Sequence, residues 1–496
     1  MNQPNIILII TDQQRFDTVG GWGYDHVITP NIDKLAQNGI SFTQSYCPGA
    51  TCVASRAAIF TGMYPHNTGV YSFQNWQNHR CWVQDLADAG YHCANIGKMH
   101  FTPRDIPGGF HDRIVVENPT NKTHASGNAD DDWGKYMTLH GVTRPNDRNQ
   151  TDPDWLQKYQ GVVWHEEEQY HSDVFIGNSA VRWIETNQSQ KPLFLEVGFT
   201  GPHEPWDPLP RHLEMYDDRE VPSRIIREGE LDEKPPQHLA HQHFHANTAH
   251  ESQIDIASAD EDDIARMRRH YYANITTVDE QVGRVMDALE ARGYLDNSIV
   301  IFCSDHGELL GDHKLAYKWL MYDPIVHIPL IVRTQQTVGK PATVSDLVSL
   351  MDLGPTILEA AGLDVPTYME GRSIGGYLTG DDVTPRDYVC CEDNYQIMFR
   401  TQTHKLVYYI GQEAGELYDL ESDPNELHNL WDNSGHVEIK QQLLIRVLDW
   451  MAASNYWNSG YKREVGQQYS MRWPTPDDAG LHGGGRNGKG KPLDYL

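Results

Sequence analysis

Four short apolar runs in this chain each end directly in a polar cluster. Asn5–Ile10 leads into Thr11-Asp12-Gln13, His92–Ile96 into Gly97-Lys98-Met99-His100, Leu193–Phe199 into Thr200-Gly201-Pro202-His203, and Ser298–Cys303 into Ser304-Asp305-His306-Gly307. Runs this short and this apolar read as buried strands, and the stretches between them supply helical crossovers. Pro30–Asn38 reads as a short helix closed by Gly39, and Ser55–Thr61 as a helix start. From Ile264 to Leu289 apolar residues recur at Ile264, Met267, Tyr271, Ile275, Val278, Val282, Val285 and Leu289, the three–four spacing of a long helix packed on a sheet. Val326–Val332 reads as a further strand. In open parallel α/β sheets, ligands bind beyond the carboxyl ends of the strands. Four polar clusters at equivalent places are therefore expected to converge on one site.

A chain of 496 residues exceeds one ordinary core. The pattern divides it into an α/β domain over 1–372, a small α+β unit over 373–470 and a tail over 471–496. The expected fold class is α/β: a large mixed, mostly parallel sheet flanked by helices, with a smaller C-terminal antiparallel sheet. The small sheet is read at Asp387–Cys391, Gln396–Arg400, Lys405–Tyr409 and Glu416–Asp419, with a terminal helix near Ile439–Ala453. The tail is rich in Gly, Lys and Arg over Gly480–Lys491, and is expected to be mobile or to wrap onto a second subunit of a homo-oligomer. A polar insertion at 207–260 lacks periodicity. Its His238, His241, His243, His245 and His250 are read as part of a solvated loop rather than as metal ligands.

Lys plus Arg number 40 against 69 Asp plus Glu, a net charge of −29. That excess argues against nucleic-acid binding, which needs a basic face. It also repels polyanions at long range, so any anion specificity has to come from a local cationic pocket. The apolar run Ile6–Ile10 is too short to span a membrane, and no basic segment precedes it as in a secretory signal. The expectation is a cytoplasmic chain, or an exported one whose signal lies outside this sequence. Seven scattered cysteines show no zinc-type spacing and read mostly as small buried hydrophobes.

Cys52 is the exception, standing in Cys52-Val53-Ala54-Ser55-Arg56. This resembles the modification signature of the type I sulfatases, Cys-x-Pro/Ala-Ser-Arg, within the alkaline-phosphatase-like superfamily. The resemblance extends from Asn5 to about Leu430, through Asn5–Gln13, Pro30–Thr43, Cys52–Gly69, Gly97–His100, Gly201–His203, Ser304–Lys318 and Glu416–Leu430 in order. It implies that a maturation enzyme oxidises Cys52 to formylglycine, whose hydrate is the nucleophile toward a sulfate ester. It further implies that Asp12, Gln13, Asp305 and His306, together with modified Cys52, bind one divalent cation. Oxygen ligands suit a hard ion, calcium first, with magnesium or manganese compatible. Gln13 departs from the commoner Asp-Asp pair and leaves one charge fewer around the metal.

By the same resemblance Arg56, Lys98 and Lys318 hold the nucleophile and the sulfate oxygens, where fixed cations stabilise the charge in transit. His203 is the better candidate to protonate the leaving alcohol, and His100 to deprotonate the second hydroxyl so that sulfate is expelled as the aldehyde re-forms. Histidine suits both tasks because its ordinary pKa is near neutrality. A phosphonate monoester or phosphodiester hydrolase of the same superfamily is the alternative, and Lys98 with His100 favours sulfate over it. A non-catalytic sulfated-glycan binder would be expected to have lost one of these residues. Thirteen Trp and 25 Tyr, among them Trp206, Tyr317, Trp319 and Tyr322, suit stacking on sugars or filling a large core equally well. The substrate expectation is a sulfated carbohydrate, with an aryl or alkyl sulfate next, either a small molecule or an oligosaccharide.

Overall fold

The structure is a computed structural model that describes residues 3–76, 78–117, 131–145, 151–248 and 252–458. Its main sheet is built from β1 (Asn5–Thr11), β2 (Ile40–Phe42), β4 (His92–Gly97), β5 (Asp112–Val115), β6 (Leu193–Gly198), β7 (Ser298–Ser304), β8 (Leu330–Thr334) and β9 (Ala342–Val344). The order is β5-β4-β6-β1-β7-β8-β2-β9. The first five run parallel, β8 is antiparallel to both its neighbours, and β2 and β9 are again parallel to each other. Two short strands, β3 (Ser45–Tyr46) and β10 (Val348–Ser349), pair separately.

Strand β1 lies at the centre because both its faces are apolar. Ile6, Leu8 and Ile10 pack with Val53, Ala57 and Phe60 of the Cys52–Thr61 helix on one face. Ile7 and Ile9 pack with Val278, Val282 and Val285 of the Glu261–Ala291 helix on the other. The alternation of strand side chains thus pins one helix to each face of the sheet. The long helix starts with a capping box in which Asp260 and Asp263 exchange side-chain and backbone hydrogen bonds.

The strand ends approach each other closely where β4 meets β6. Lys98 N–H donates to Gly198 O at 2.8 Å. Gly97, at φ +114, could not carry a Cβ, which would stand 1.9 Å from that oxygen.

The smaller sheet is antiparallel, in the order β11 (Val389–Asp393), β12 (Gln396–Arg400), β13 (His404–Tyr409), β14 (Gly415–Asp419). Cys390, Ile397, Phe399, Leu406 and Leu417 pack there with Leu443, Val447 and Trp450 of the Val437–Trp457 helix.

Three local expectations need correction. The helix read as starting at Ser55 begins at Cys52, because Thr51 accepts from Ala54 N–H through its side chain and caps it there. The strand read at Val326–Val332 begins only at Leu330, since Asp323–Val326 forms a helical turn with Pro324 in its first turn. The 207–260 insertion is not a plain solvated loop: Gln237–Asn247 is a helix with His238 and His245 buried. Residues 249–251, His250 among them, and the tail from 459 onward lie outside the described residues. All seven cysteines are buried, Cys52 included. Trp206, Tyr317 and Tyr322 are also buried and serve the core, leaving Trp319 as the partly open ring of that group. Among the described residues no helix is long and apolar enough to cross a membrane.

Candidate active site

The four polar clusters do converge. Asp12 follows β1, Lys98 and His100 follow β4, His203 follows β6, and Asp305 and His306 follow β7, at the carboxyl ends of four neighbouring parallel strands. Cys52 arrives from the side as the first residue of its helix, where unpaired backbone N–H groups favour a negative charge. Arg56 stands one turn further on the same helix face.

Arg56 ties the pieces together. Its Nε donates to Asp305 Oδ2 at 2.7 Å and its Nη1 to Lys98 O at 2.6 Å. Ser55 Oγ donates to Asp305 O at 2.7 Å from the same turn. Lys98 Nζ pairs with Asp12 Oδ2. Lys318 Nζ donates to Gln13 Oε1 at 2.7 Å and lies 3.9 Å from Cys52 Sγ. Gln13 and His100 hold left-handed backbone conformations, φ 68° and 63°, which non-glycine residues rarely adopt and which turn both side chains inward.

The metal expectation can be tested on this donor set. Asp12 Oδ1 and His306 Nε2 are buried without hydrogen-bond partners, while Asp12 Oδ2 faces the Lys98 ammonium. His306 Nδ1 faces Gly307 O at 2.9 Å, which fixes its proton there and leaves Nε2 as a bare lone pair. Nε2 lies 3.6 Å from Asp12 Oδ1 and 3.7 Å from Asp305 Oδ1. One atom each of Asp12, Cys52 and His306 lie within 4.8 Å of one another. Orphaned acceptors aimed at a common point fit a bound cation. Asp305 is already engaged through Oδ1 by Gln13 N–H (3.1 Å) and His306 N–H (2.9 Å), which fix its orientation.

Charge explains the protonation states. Burial alone would raise the Asp12 carboxyl, but Lys98, His203, Lys318 and His306 outweigh it and hold it well below the usual range. Burial likewise raises the Cys52 thiol, while Lys318 and Lys98 reverse the effect and lower it. Burial and then Lys98 push His100 down to about 3. Burial brings His203 down to about 4 despite the opposing pull of Glu204, with Lys318 and Lys98 adding to the fall. Both histidines are therefore neutral at pH 7. His203 Nδ1 faces Glu204 O at 2.8 Å, leaving Nε2 free to exchange a proton.

Two buried acids here escape a reading of the sequence. Glu204 and Glu308 both accept from the Gln13 amide, Nε2 to Glu204 Oε2 at 2.8 Å and to Glu308 Oε2 at 2.5 Å. This uses both amide hydrogens and so turns Gln13 Oε1 toward Lys318. Their only sequence signal is their place, one residue after His203 and two after His306. Among the described residues the insertion histidines do not join the cluster, but His241 and His245 border it, their rings 5.9 Å and 5.3 Å from Trp319.

Comparison with known proteins places this geometry. The sulfatase family model matches residues 4–363, and the model for the C-terminal part of N-sulphoglucosamine sulphohydrolase matches residues 311–452. The chain is 28% identical to an arylsulfatase of Clostridium perfringens, over 90% of this chain and 95% of that protein. It is 27% identical to an N-acetylglucosamine-6-O-sulfatase of Bacteroides thetaiotaomicron, over 90% and 86%. A phosphonate monoester hydrolase of Agrobacterium radiobacter shares the fold with a TM-score of 0.76 at 22% identity, covering 91% of this chain and 96% of that one. The sulfatase match contains every residue assembled at the strand ends, and the chain belongs to the sulfatase family, the sulfuric ester hydrolases.

Proposed function

We propose that this protein hydrolyses a sulfate monoester of a carbohydrate and releases inorganic sulfate. The observation that carries the reading is the placement of Lys318 and Lys98 beside Cys52 at the start of its helix, with Arg56 one turn along the same helix holding the Lys98 backbone. In a chain of net charge −29 these three cations form the local anion pocket that a sulfate group requires. The named activity of the Bacteroides relative supports a sugar as the alcohol.

Asp12, Gln13, Asp305 and His306, with modified Cys52, would hold a divalent cation, calcium by the hardness of the donors. When present, the formylglycine hydrate supplies a nucleophile that can later expel sulfate by carbonyl formation, and the metal supplies Lewis acidity toward it. Arg56 aims Asp305, and Lys98 helps to keep Asp12 ionised. Lys318 faces the sulfate oxygens, with its ammonium anchored on Gln13. His203 exchanges its proton at Nε2 with the leaving alcohol, and His100 serves as the base. A sulfate anion lodged beside Lys98 and Lys318 offsets the field that depresses both histidines, so substrate binding itself shifts them toward the charged form.

The division into 1–372 with the 207–260 insertion, 373–470 and 471–496 belongs to this proposal. A homo-oligomer formed through the tail is part of it as well. The deciding experiment assays sulfate release from a panel of sulfated sugars and an aryl sulfate, beside a phosphonate monoester. Turnover of the phosphonate in preference to every sulfate would replace this reading by the phosphonate hydrolase.

A further inference from the structure

Asp393 closes β11 at the turn of the first hairpin of the small sheet. Two sets of contacts bring that turn to the nucleophile. Its neighbour Glu392 pairs through the backbone with the loop just ahead of Cys52, Glu392 N–H to Pro48 O at 3.0 Å and Ala50 N–H to Glu392 O at 3.3 Å. Its cross-strand partner Gln396 donates from Nε2 to Trp319 O at 3.1 Å. Trp319 N–H in turn donates to Ala50 O at 3.1 Å, and the residue before it is Lys318, which touches Cys52 Sγ. Asp393 is thus bracketed between the two segments that flank the reacting residue.

Its bonding is incomplete for such a place. Asp393 is 2% exposed, and its Oδ1 accepts only from the N–H (2.7 Å) and Nδ2 (3.2 Å) of the adjacent Asn394. Among the described residues no Lys, Arg or His forms an ion pair with it. Burial, helped by the nearby Cys52 and opposed by the Asn394 donors, pushes its carboxyl up to about 7. The Tyr71 phenol is near enough to be affected, burial and then Glu392 and Asp393 pushing it up. Tyr71 is held over the helix start by Thr51 Oγ1, which donates to Tyr71 O at 3.4 Å. The Trp319 ring centroid lies 5.6 Å from Lys318 Nζ. A buried carboxylate with no cation is costly, and a ligand that brings the cation recovers that cost. Rings beside it favour the same charge.

We propose that Asp393 determines specificity on the alcohol side of the ester, and that this alcohol carries a cationic amine. The inference rests on the sulfatase reading of the site and adds the substrate class to it. A zwitterionic ester also answers the charge balance, because it offers sulfate to the lysines without the repulsion that a net charge of −29 imposes on polyanions. An amino sugar sulfate and a small quaternary ammonium sulfate share this chemistry.

The test uses the full chain with Cys52 converted, as verified by intact mass, and two matched pairs of esters. One pair is glucosamine 6-sulfate against N-acetylglucosamine 6-sulfate. The other is choline sulfate against its neutral carbon isostere, 3,3-dimethylbutyl sulfate. The wild type is expected to prefer the cationic member of at least one pair by about tenfold or more in kcat/KM, mainly through KM. The pair that discriminates identifies the source. Asp393→Asn, which keeps the turn's acceptor, and Asp393→Ala are both expected to bring that ratio close to one. Sulfate release without preference in either pair, or a preference that survives both substitutions, overturns the inference. Failure to release sulfate from any ester instead removes the sulfatase reading, and this one with it.

Discussion

Arg56 Nε donates to Asp305 Oδ2 at 2.7 Å with both side chains fully buried. The other branch of the same guanidinium holds Lys98 O, so one residue of the nucleophile's helix fixes the ends of β7 and β4 together. A planar fork can make both bonds at once, and an ammonium cannot. Arg56→Lys is expected to lower kcat/KM on an accepted sulfate ester by about 100-fold or more. The melting temperature should fall too, since breaking a buried pair costs about 3–5 kcal/mol. Steady-state kinetics beside thermal melts check this; unchanged kcat/KM would remove Arg56 from the machinery.

Cys52 is 6% exposed at the start of its helix, and a hydroxyl of similar size fits there. Cys52→Ser should therefore fold normally while losing the residue from which the aldehyde is made. Sulfate release is expected to drop by at least about 1,000-fold, as for loss of a covalent nucleophile elsewhere. Intact mass of the Cys52 peptide from an active wild-type preparation gives the companion result. Unmodified cysteine in a fully active enzyme would contradict the assignment.

The orphaned acceptors Asp12 Oδ1 and His306 Nε2 predict linkage between metal and stability. A cation that binds only the folded chain at 100 times its Kd adds about 2.7 kcal/mol. Dialysis against a chelator is expected to lower the melting temperature and abolish turnover, with calcium restoring both. Asp12→Asn should erase the calcium-dependent part of the melting shift. A melting temperature indifferent to chelator and to calcium in the wild type would exclude a resident ion.

If His203 protonates the leaving alcohol, its importance must grow with the basicity of that alcohol. His203→Ala is expected to slow an alkyl or sugar sulfate by about 100-fold or more, and a nitrophenyl sulfate far less, because nitrophenolate departs without a proton. The measurement is the dependence of log kcat/KM on leaving-group pKa for wild type and variant. Equal losses across the series would assign His203 to another task.

Much of the site was legible because four of its polar clusters directly follow apolar runs, and a parallel sheet brings such positions to one edge. What stayed hidden has identifiable causes. Glu204 and Glu308 act on Gln13 across 191 and 295 residues of chain, and no local pattern announces that. The helix Gln237–Asn247 is carried by the buried histidines His238 and His245 rather than by aliphatic periodicity, so its polar composition disguised it. The start of the Cys52 helix was misplaced by three residues because its cap is set by one threonine hydroxyl. Asp393 lies far from Cys52 in sequence, and the docking of Glu392 onto Pro48 and Ala50 and of Gln396 onto Trp319 reveals it.

Asp279 links stability to pH away from the site. It is 1% exposed in the long helix and caps the Pro30–Gln37 helix from outside, accepting from Ile32 N–H at 2.8 Å and from Asn31 N–H at 3.1 Å. That helix has no side-chain cap of its own. Burial nevertheless pushes the Asp279 carboxyl up to about 7, against the lowering by these donors. In the unfolded chain it titrates near 3.9. Between these values the folded state binds the proton and the unfolded state does not, so stability is expected to fall as pH rises from about 4 to about 7. Asp279→Asn keeps an acceptor for the helix N–H groups and cannot ionise, and should flatten this part of the profile. Asp279→Ala should destabilise by about 1–2 kcal/mol through loss of the cap. Chemical denaturation of the three proteins at pH 5 and pH 7.5 measures both effects; a pH slope identical in wild type and Asp279→Asn would mean that the carboxylate stays ionised throughout.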